Sequence, residues 1–167
     1  MNKTLIHQPE YLPWTHLFEK ASMCDIFVFL DKVQYSRRSF QNRNKIKTNF
    51  GSKWLTVPIK YANREELISN ITIDHSKNWK NDHLQSIYKN YYKAKYFEDF
   101  YGVLNKIISS DFDLLHDLNI SLIKKIFELL KINCKFVLQS ELDVCSKKSN
   151  LILDICKKLD TKKYITG

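Results

Sequence analysis

Glycine is the residue that this sequence most lacks. Only three glycines, Gly51, Gly102 and Gly167, occur among 167 residues, which is about 2% against the roughly 7% that is usual. The GxGxxG dinucleotide loop and the P-loop both need closely spaced glycines, so both are excluded. Any phosphate site in this protein must therefore use side chains or a helix N-terminus.

The sequence also lacks the cysteine patterns that bind metal ions. Its four cysteines, Cys24, Cys134, Cys145 and Cys156, form no CxxC motif, and none has a histidine at zinc-like spacing. We therefore predict no metal centre.

Long apolar segments are missing as well. The longest apolar run is the five residues Ile26–Leu30, whereas a membrane-spanning helix needs about 20. The N-terminus has no apolar stretch of the length that a signal peptide carries. These features predict a cytoplasmic protein without a membrane span, and a length of 167 residues predicts a single α/β domain over residues 1–167.

Positive charge dominates, but lysine and arginine are distributed differently. Lys and Arg total 27 against 18 acids, a formal net charge of +9. The lysines occur along the whole chain beside abundant Ile and Asn, which is typical of AT-rich coding, so we expect no specific nucleic-acid partner. Three of the four arginines, Arg37, Arg38 and Arg43, fall within seven residues. Because a guanidinium is a planar fork for carboxylate or phosphate, this cluster predicts an anion site.

Hydrophobic periodicity predicts an α/β fold that opens with a strand–helix–strand unit. The predicted elements are a strand over Thr4–Gln8, a helix over Trp14–Met23 and a buried strand over Ile26–Leu30, parallel to the first strand. Two further strands, Ser39–Thr48 and Lys53–Lys60, predict a β-hairpin.

The second half of the chain is predicted to be mainly helical. The predicted elements are helices over Trp79–Lys93 and Tyr96–Ser109, a long helix opened by a capping box at Ser110–Asp113, a helix over Leu151–Leu159 capped by Ser149, and strands over Lys135–Leu138 and Tyr164–Ile165.

The first two predicted strands end in polar residues. His7 and Gln8 end the first, and Asp31 directly follows the second. Ligands of an open parallel sheet bind outside the carboxyl ends of its strands, so the side chains of His7 and Asp31 are expected at one crevice. A histidine acts as acid or base near neutral pH. The alternative is a structural histidine beside a turn.

The second candidate is the segment Asp31–Lys47, which interleaves cations, amides and aromatic residues. In the predicted strand, Asn42 and Asn44 share a face with Phe40 and Ile46, and amides on a half-buried face need partners. This pattern favours recognition of phosphate or carboxylate. It also fits nucleic-acid binding or a solvated edge strand whose charges block aggregation.

Several motifs resemble the WbqC-like family. They are His7–Trp14 (HQPEYLPW), Asp31–Tyr35, Arg38 with Asn42–Lys47, Trp54–Pro58, Trp79 with His83, Tyr92–Ala94 with Tyr96–Phe97, Leu118–Asn119, Ile155–Lys157 and Tyr164–Gly167. Members often have Gly where this chain has His16, and they usually continue for several dozen residues past the equivalent of Gly167. The chain thus resembles a C-terminally shortened WbqC-like domain.

The resemblance implies a role in the biosynthesis of O-antigen or another bacterial surface polysaccharide. The expected activity is a transferase that attaches glycine, another amino acid or a related acyl group to a sugar or nucleotide-sugar. The acyl donor must be activated, as an acyl adenylate made with ATP, an acyl thioester or an aminoacyl-tRNA, and each of these carries phosphate. His7 is the predicted base, Asp31 orients it, and the arginine cluster holds the phosphate.

The remaining predicted substrate-binding residues belong to the same two segments. They are Gln8, Tyr11, Trp14, Gln34, Asn42 and Asn44. By analogy of fold alone, the opening strand, turn, helix and strand are similar to those of nucleotidylyltransferases. Two other classes stay open, a basic nucleic-acid-binding module and a non-catalytic scaffold.

Overall fold

The computed structural model describes residues 2–166 and consists of a parallel sheet, a separate hairpin and helices around both. The first half contains strand β1 (Lys3–His7), helix α1 (Thr15–Ala21), strand β2 (Ile26–Phe29) and the hairpin strands β3 (Arg43–Thr48) and β4 (Gly51–Thr56). The second half contains helices α2 (Trp79–Tyr91), α3 (Phe97–Ser109) and α4 (Leu115–Leu129), strand β5 (Lys135–Leu138), helix α5 (Lys148–Lys158) and strand β6 (Lys163–Ile165). The predicted α/β class is confirmed.

The four-stranded sheet has the order β5–β2–β1–β6, and all of its neighbouring pairs are parallel. The predicted parallel pairing of the first two strands is therefore confirmed, with His7 opposite Phe29. Parallel strands buried on both faces need continuous apolar sequence, and Ile26–Phe29 supplies it.

The sheet separates two of the three hydrophobic clusters that residues 2–166 form. On one face, Phe27 and Phe29 pack with Phe127 of α4 and with residues of α1. On the other face, Val28 packs with Ile155 of α5. A third cluster lies between the hairpin and helices α2, α3 and α4, and it includes Leu55. Because side chains alternate along a strand, neighbouring residues of β2 serve opposite layers.

Strands β3 and β4 form an antiparallel hairpin in which Arg43 lies opposite Thr56 and Lys45 opposite Trp54. Gly51 has a φ of 112°, a left-handed conformation that glycine adopts without steric cost. The hairpin was predicted, but its first strand begins at Arg43 rather than at Ser39. Residues 39–42 form turns instead, where the Ser39 hydroxyl donates to the Ser36 carbonyl.

Two predicted helix caps are wrong. Helix α4 begins after Leu114 with no side-chain cap, so Ser110–Asp113 forms no capping box there. Helix α5 begins after Lys147, which places Ser149 inside the helix. At the start of α4 a backbone contact takes the place of a side-chain cap, because the Leu115 N–H donates to the Ile71 carbonyl.

Candidate active site

His7 is the last residue of β1 and is half-buried at the carboxyl edge of the sheet. Its Nδ1 lies 2.8 Å from the backbone carbonyl of Gln8. Since a carbonyl only accepts hydrogen bonds, Nδ1 carries the proton, and Nε2 of the neutral ring keeps its lone pair. The geometry therefore fixes both the ring orientation and the tautomer that can take up a proton.

Glu10 lies close enough to His7 to interact with it electrostatically. Burial raises the pKa of Glu10, and the positive charge of protonated His7 opposes that rise. A half-buried imidazole beside a half-buried carboxyl is an arrangement suited to proton transfer. Glu10 was not among the predicted site residues, although it lies only three residues after His7.

Asp31 follows β2 at the same edge of the sheet, but its contacts lead elsewhere. It is 3% exposed, and its Oδ1 accepts a 3.0 Å hydrogen bond from the Ser140 N–H in the turn after β5. Within residues 2–166 no hydrogen bond or ion pair joins Asp31 to His7. The carbonyl of Gln8, rather than Asp31, orients the imidazole.

Three amide side chains hold the loop that follows His7. Gln41 Nε2 donates to Gln8 Oε1 at 2.7 Å, and Asn44 Nδ2 donates to the Leu12 carbonyl at 2.7 Å. The fully buried Asn119 of α4 donates to both the Pro9 carbonyl, at 3.0 Å, and the Gln41 carbonyl, at 2.7 Å. The predicted substrate-binding residues Gln8 and Asn44 thus join the loop to the hairpin.

Tyr11 is 0% exposed, and its hydroxyl lies 2.8 Å from Nδ1 of His83 in α2. Burial lowers the pKa of His83 to about 4, so the ring is neutral at physiological pH, and burial raises the pKa of Tyr11. The neutral His83 accepts from the Tyr11 hydroxyl. The structure thus places Tyr11, another predicted substrate-binding residue, inside the core that supports the loop.

The predicted arginine cluster does not form a single fork. Arg37 donates to the Ala62 carbonyl at 2.6 Å, and Arg43 donates to the Arg38 carbonyl at 2.6 Å. The Gln34 amide donates to the Arg64 carbonyl at 2.6 Å. These three hydrogen bonds hold the segment that connects β2 to β3.

Arg43 and Asn42 each keep a buried polar atom without a partner. Asn42 donates to the Val57 carbonyl at 3.0 Å, but its Oδ1 has no hydrogen-bond partner among the described residues. The same is true of Arg43 Nε. Such groups are rare in native proteins and call for an explanation.

The outer face of the hairpin combines exposed aromatic rings with cations; we call it the hairpin face, formed by Trp14, Phe40, Arg43, Lys45, Lys47 and Trp54. The guanidinium carbon of Arg43 is 4.2 Å from the centroid of the Trp54 ring, and Lys45 Nζ is 4.9 Å from it. Phe40 lies between the two tryptophans, with ring centroids 6.3 Å from Trp14 and 6.2 Å from Trp54. The inner face of the hairpin carries Asn44 and Leu55 and is buried.

The charge of the chain is concentrated around this face. Residues 32–64 contain all four arginines, five lysines and no acid. Since the whole chain has 27 cations and 18 acids, the remaining residues balance to zero. The lysines were predicted to be dispersed, but a count of acids along the chain separates this acid-free segment from the rest.

Two cavities lie beside the hairpin rather than at His7. A largely apolar one of about 450 Å³ lies against α3 and is lined by Leu12, Phe100 and Tyr101 among others. A mixed one of about 600 Å³ between β4 and α2 includes Lys53, Trp54 and His83. Across residues 2–166, no group of three or more His, Cys, Asp or Glu could hold a metal ion. In that same part of the chain, every helix is too short or too polar to cross a membrane.

Fold and site together define a mixed α/β protein whose polar residues gather at one sheet edge and an adjoining basic hairpin. The chain belongs to the WbqC-like protein family, whose model matches residues 8–167. The resemblance noted from the motifs is thereby confirmed, although its final residue, Gly167, lies outside the described residues.

A curated relative is named but not functionally described. The chain is 27% identical over 168 residues to the uncharacterized protein Rv1507c of Mycobacterium tuberculosis, covering 100% of this chain and 73% of the relative. No solved structure matches the chain, so the likeness to nucleotidylyltransferases stays a prediction.

Proposed function

We propose that this protein is an acyltransferase that joins an amino acid, or a related acyl group, to an amino sugar of a bacterial surface polysaccharide. The observation that carries the proposal is the fixed tautomer of His7, whose Nε2 is available for a proton beside the half-buried Glu10. A protonated amine has no lone pair with which to attack, so the reaction needs a positioned base that takes up its proton.

The reaction transfers a proton twice, first from the attacking amine to His7 and then from His7 to the leaving group. The sugar amine attacks the activated acyl carbonyl, a C–N bond forms, and His7 Nε2 takes the proton that the amine releases. The bond from the acyl carbon to its leaving oxygen or sulfur then breaks, and the leaving group departs with the electron pair and receives the proton from His7. Glu10 stabilises the imidazolium that exists between these steps.

The other predicted residues act around this centre. Asp31 holds the turn after β5, and Gln8, Tyr11, Asn44 and Gln34 position the surrounding loops through the contacts described above. We assign Trp14, Arg38 and Arg43 to binding of the phosphate-bearing donor. Asn42 and Arg37 are secondary candidates for the same role.

The test pairs two histidines of the same chain. Purified protein is incubated with a nucleotide-linked amino sugar and radiolabelled glycine, supplied with ATP, as a thioester or on tRNA, and labelled sugar is counted. His7→Asn keeps an N–H near the Gln8 carbonyl but removes the base, so transfer should fall by about 100-fold or more. The melting temperature should change little.

The matched control is His16→Asn, since His16 is an exposed residue of α1 whose Nδ1 faces Glu19. It should transfer at the unmodified rate. Transfer that persists in His7→Asn, or the absence of His7-dependent transfer from all three donors, would contradict the proposal and favour the scaffold class.

A further inference from the structure

The cations of residues 32–64 have no acidic partners. None of the nine forms an ion pair within 4.0 Å among residues 2–166, where the ion pairs of the chain involve other residues. Eight of the nine are exposed, and Arg43 is half-buried. A surface with this much uncompensated positive charge attracts an anion that carries many charges.

The hairpin face adds stacking surfaces to that charge. Trp14 is 62% exposed, and Phe40 and Trp54 are each 40% exposed. Their rings follow one another at about 6 Å, and Arg43 and Lys45 lie over the last ring in cation–π contacts. Aromatic rings beside cations that follow a backbone are the combination by which proteins bind single-stranded nucleic acid.

Buried groups at the base of this face have hydrogen-bonding capacity left. Asn42 is 8% exposed with Oδ1 unpaired, and Arg43 Nε is buried and unpaired. Arg38, whose carbonyl accepts from Arg43, has a φ of 59°, a conformation that costs a non-glycine residue energy and is concentrated at binding sites.

The hairpin face and the segment just before β3 contact the loop that follows His7. The Phe40 carbonyl accepts from the Tyr11 N–H at 2.9 Å. The next residue, Gln41, donates to the side chain of Gln8, the neighbour of His7. Trp14 stands at the end of the same loop. The three rings and His7 therefore lie on segments that contact each other.

We infer that the hairpin face binds a single strand of RNA, and that the acyl donor is accordingly an aminoacyl-tRNA, whose 3′ end is single-stranded. The choice of donor rests on the proposed function. An acyl adenylate carries one phosphate and one base and a thioester cofactor carries few phosphates, so neither would occupy three rings and this many unpaired cations. With the RNA ester as donor, its acyl C–O bond breaks and the ribose hydroxyl takes the proton from His7.

Binding is measured by fluorescence anisotropy with a 12-nucleotide single-stranded RNA that ends in CCA. Trp54→Ala and Phe40→Ala should each weaken binding about 10-fold, since each removes a stacking surface. The control is Phe50→Ala, because Phe50 is fully exposed at the tip of the hairpin and lies outside the hairpin face. With about three to five phosphates contacted, log Kd against log salt should have a slope of about 2 to 3.5.

Three results would overturn the inference. Inorganic polyphosphate that competes as well as RNA would show charge attraction without stacking, and duplex RNA that binds as tightly as the single strand would exclude stacking on exposed bases. A neutral oligosaccharide such as cellohexaose that quenches Trp54, while the RNA does not bind, would assign the face to the sugar acceptor.

The inference and the proposed function fail separately. Transfer that needs His7 but uses only the adenylate or thioester, without RNA binding, overturns the RNA surface and leaves the acyltransferase intact. Tight RNA binding that depends on Trp54, with no His7-dependent transfer from any donor, supports the surface and contradicts the acyltransferase.

Discussion

The carboxyl edge of the parallel sheet and the hairpin face carry polar groups in opposite ways. At the sheet edge, His7 and Glu10 are half-buried and few, and a backbone carbonyl fixes the imidazole. On the hairpin face, the three rings and the two lysines are exposed, Arg43 is half-buried, and the side chains contact one another around Phe40 and Trp54. A group that must hold one proton needs a fixed and partly desolvated position. A surface that binds a long flexible anion needs long side chains and positive charge.

Amide side chains connect the sheet edge to the hairpin face. Gln41, Asn44 and Asn119 join the loop after β1 to the segment before and within β3. Breaking these contacts should separate the two regions, and changes confined to one region should leave the other unaffected.

The largest effect is expected from Asn119→Leu. The change keeps the number and branching of the side-chain heavy atoms but leaves the buried carbonyls of Pro9 and Gln41 without their donor, which should lower the free energy of unfolding by about 4 kcal/mol. Urea denaturation measures this. Asn105→Ala, an exposed change on α3, should cost little, and an equal loss in both variants would remove Asn119 from its linking role.

The next effect concerns pH and the Tyr11–His83 contact, which ties the loop to α2. The folded pKa of His83, about 4, lies below its unfolded value near 6.5. Its contribution is therefore full above pH 6.5 and is lost as the pH falls toward 4, at most about 3 kcal/mol. His83→Gln should flatten the stability profile between these values, and the exposed control His75→Gln should leave the slope unchanged. A slope that survives in His83→Gln would place the acid-sensitive group elsewhere.

Glu10→Gln should separate stability from activity at the sheet edge. Because the folded pKa of Glu10 is raised, its ionised form destabilises the protein above the unfolded pKa, and this penalty vanishes on acidification. The variant should be more stable than the unmodified protein at pH 7 but not at pH 4, while transfer falls about 10-fold as the imidazolium loses its partner. Thermal unfolding at both pH values, with a transfer assay, tests this. A stabilised variant with full activity would show that Glu10 takes no part in the transfer reaction.

The smallest effect is expected from Lys47→Gln on the hairpin face. The side chain is exposed, so the free energy of unfolding should change by less than about 0.5 kcal/mol. RNA affinity should fall about threefold, and the salt slope by about 0.7, the value for one phosphate contact on a single strand. Lys106→Gln, on α3 and outside the basic segment, should leave the slope as it is; identical slopes in all three proteins would argue against a contact at Lys47.

The sheet was predictable because its signals are local. The run Ile26–Phe29 is apolar throughout, and a helix of suitable length connects it to β1, which together favour parallel pairing. Helices α2 and α3 follow from their apolar spacing, and their predicted ends differ from the observed ones by at most two residues.

The candidate site was only partly predictable because its contacts are distant in sequence. Asn119 lies 110 residues from Pro9 and 78 from Gln41, and no periodic pattern reports such a contact. Alternation along the predicted strand Ser39–Thr48 puts Gln41 on the face opposite Asn42 and Asn44, but the chain turns before Arg43 and buries Gln41. Asp31, at the end of the next strand, was the predicted partner of His7. The groups that interact with His7 lie instead in the loop directly after it, and they are the Gln8 carbonyl and Glu10.

The position of β6 has a consequence for synthesis on the ribosome. Strand β1 pairs on one side with β2, where Thr4 lies opposite Ile26, and on the other side with β6, where Lys3 lies opposite Lys163. The edge of β1 that faces β2 can pair soon after it is synthesised. The edge that faces β6 stays unpaired for roughly 10–30 s at ordinary translation rates, until β6 has been made. During that interval the nascent chain presents an unpaired parallel edge, which is a template for association with other chains. Chaperone dependence of the soluble yield should therefore rise when translation is slowed between β2 and β6.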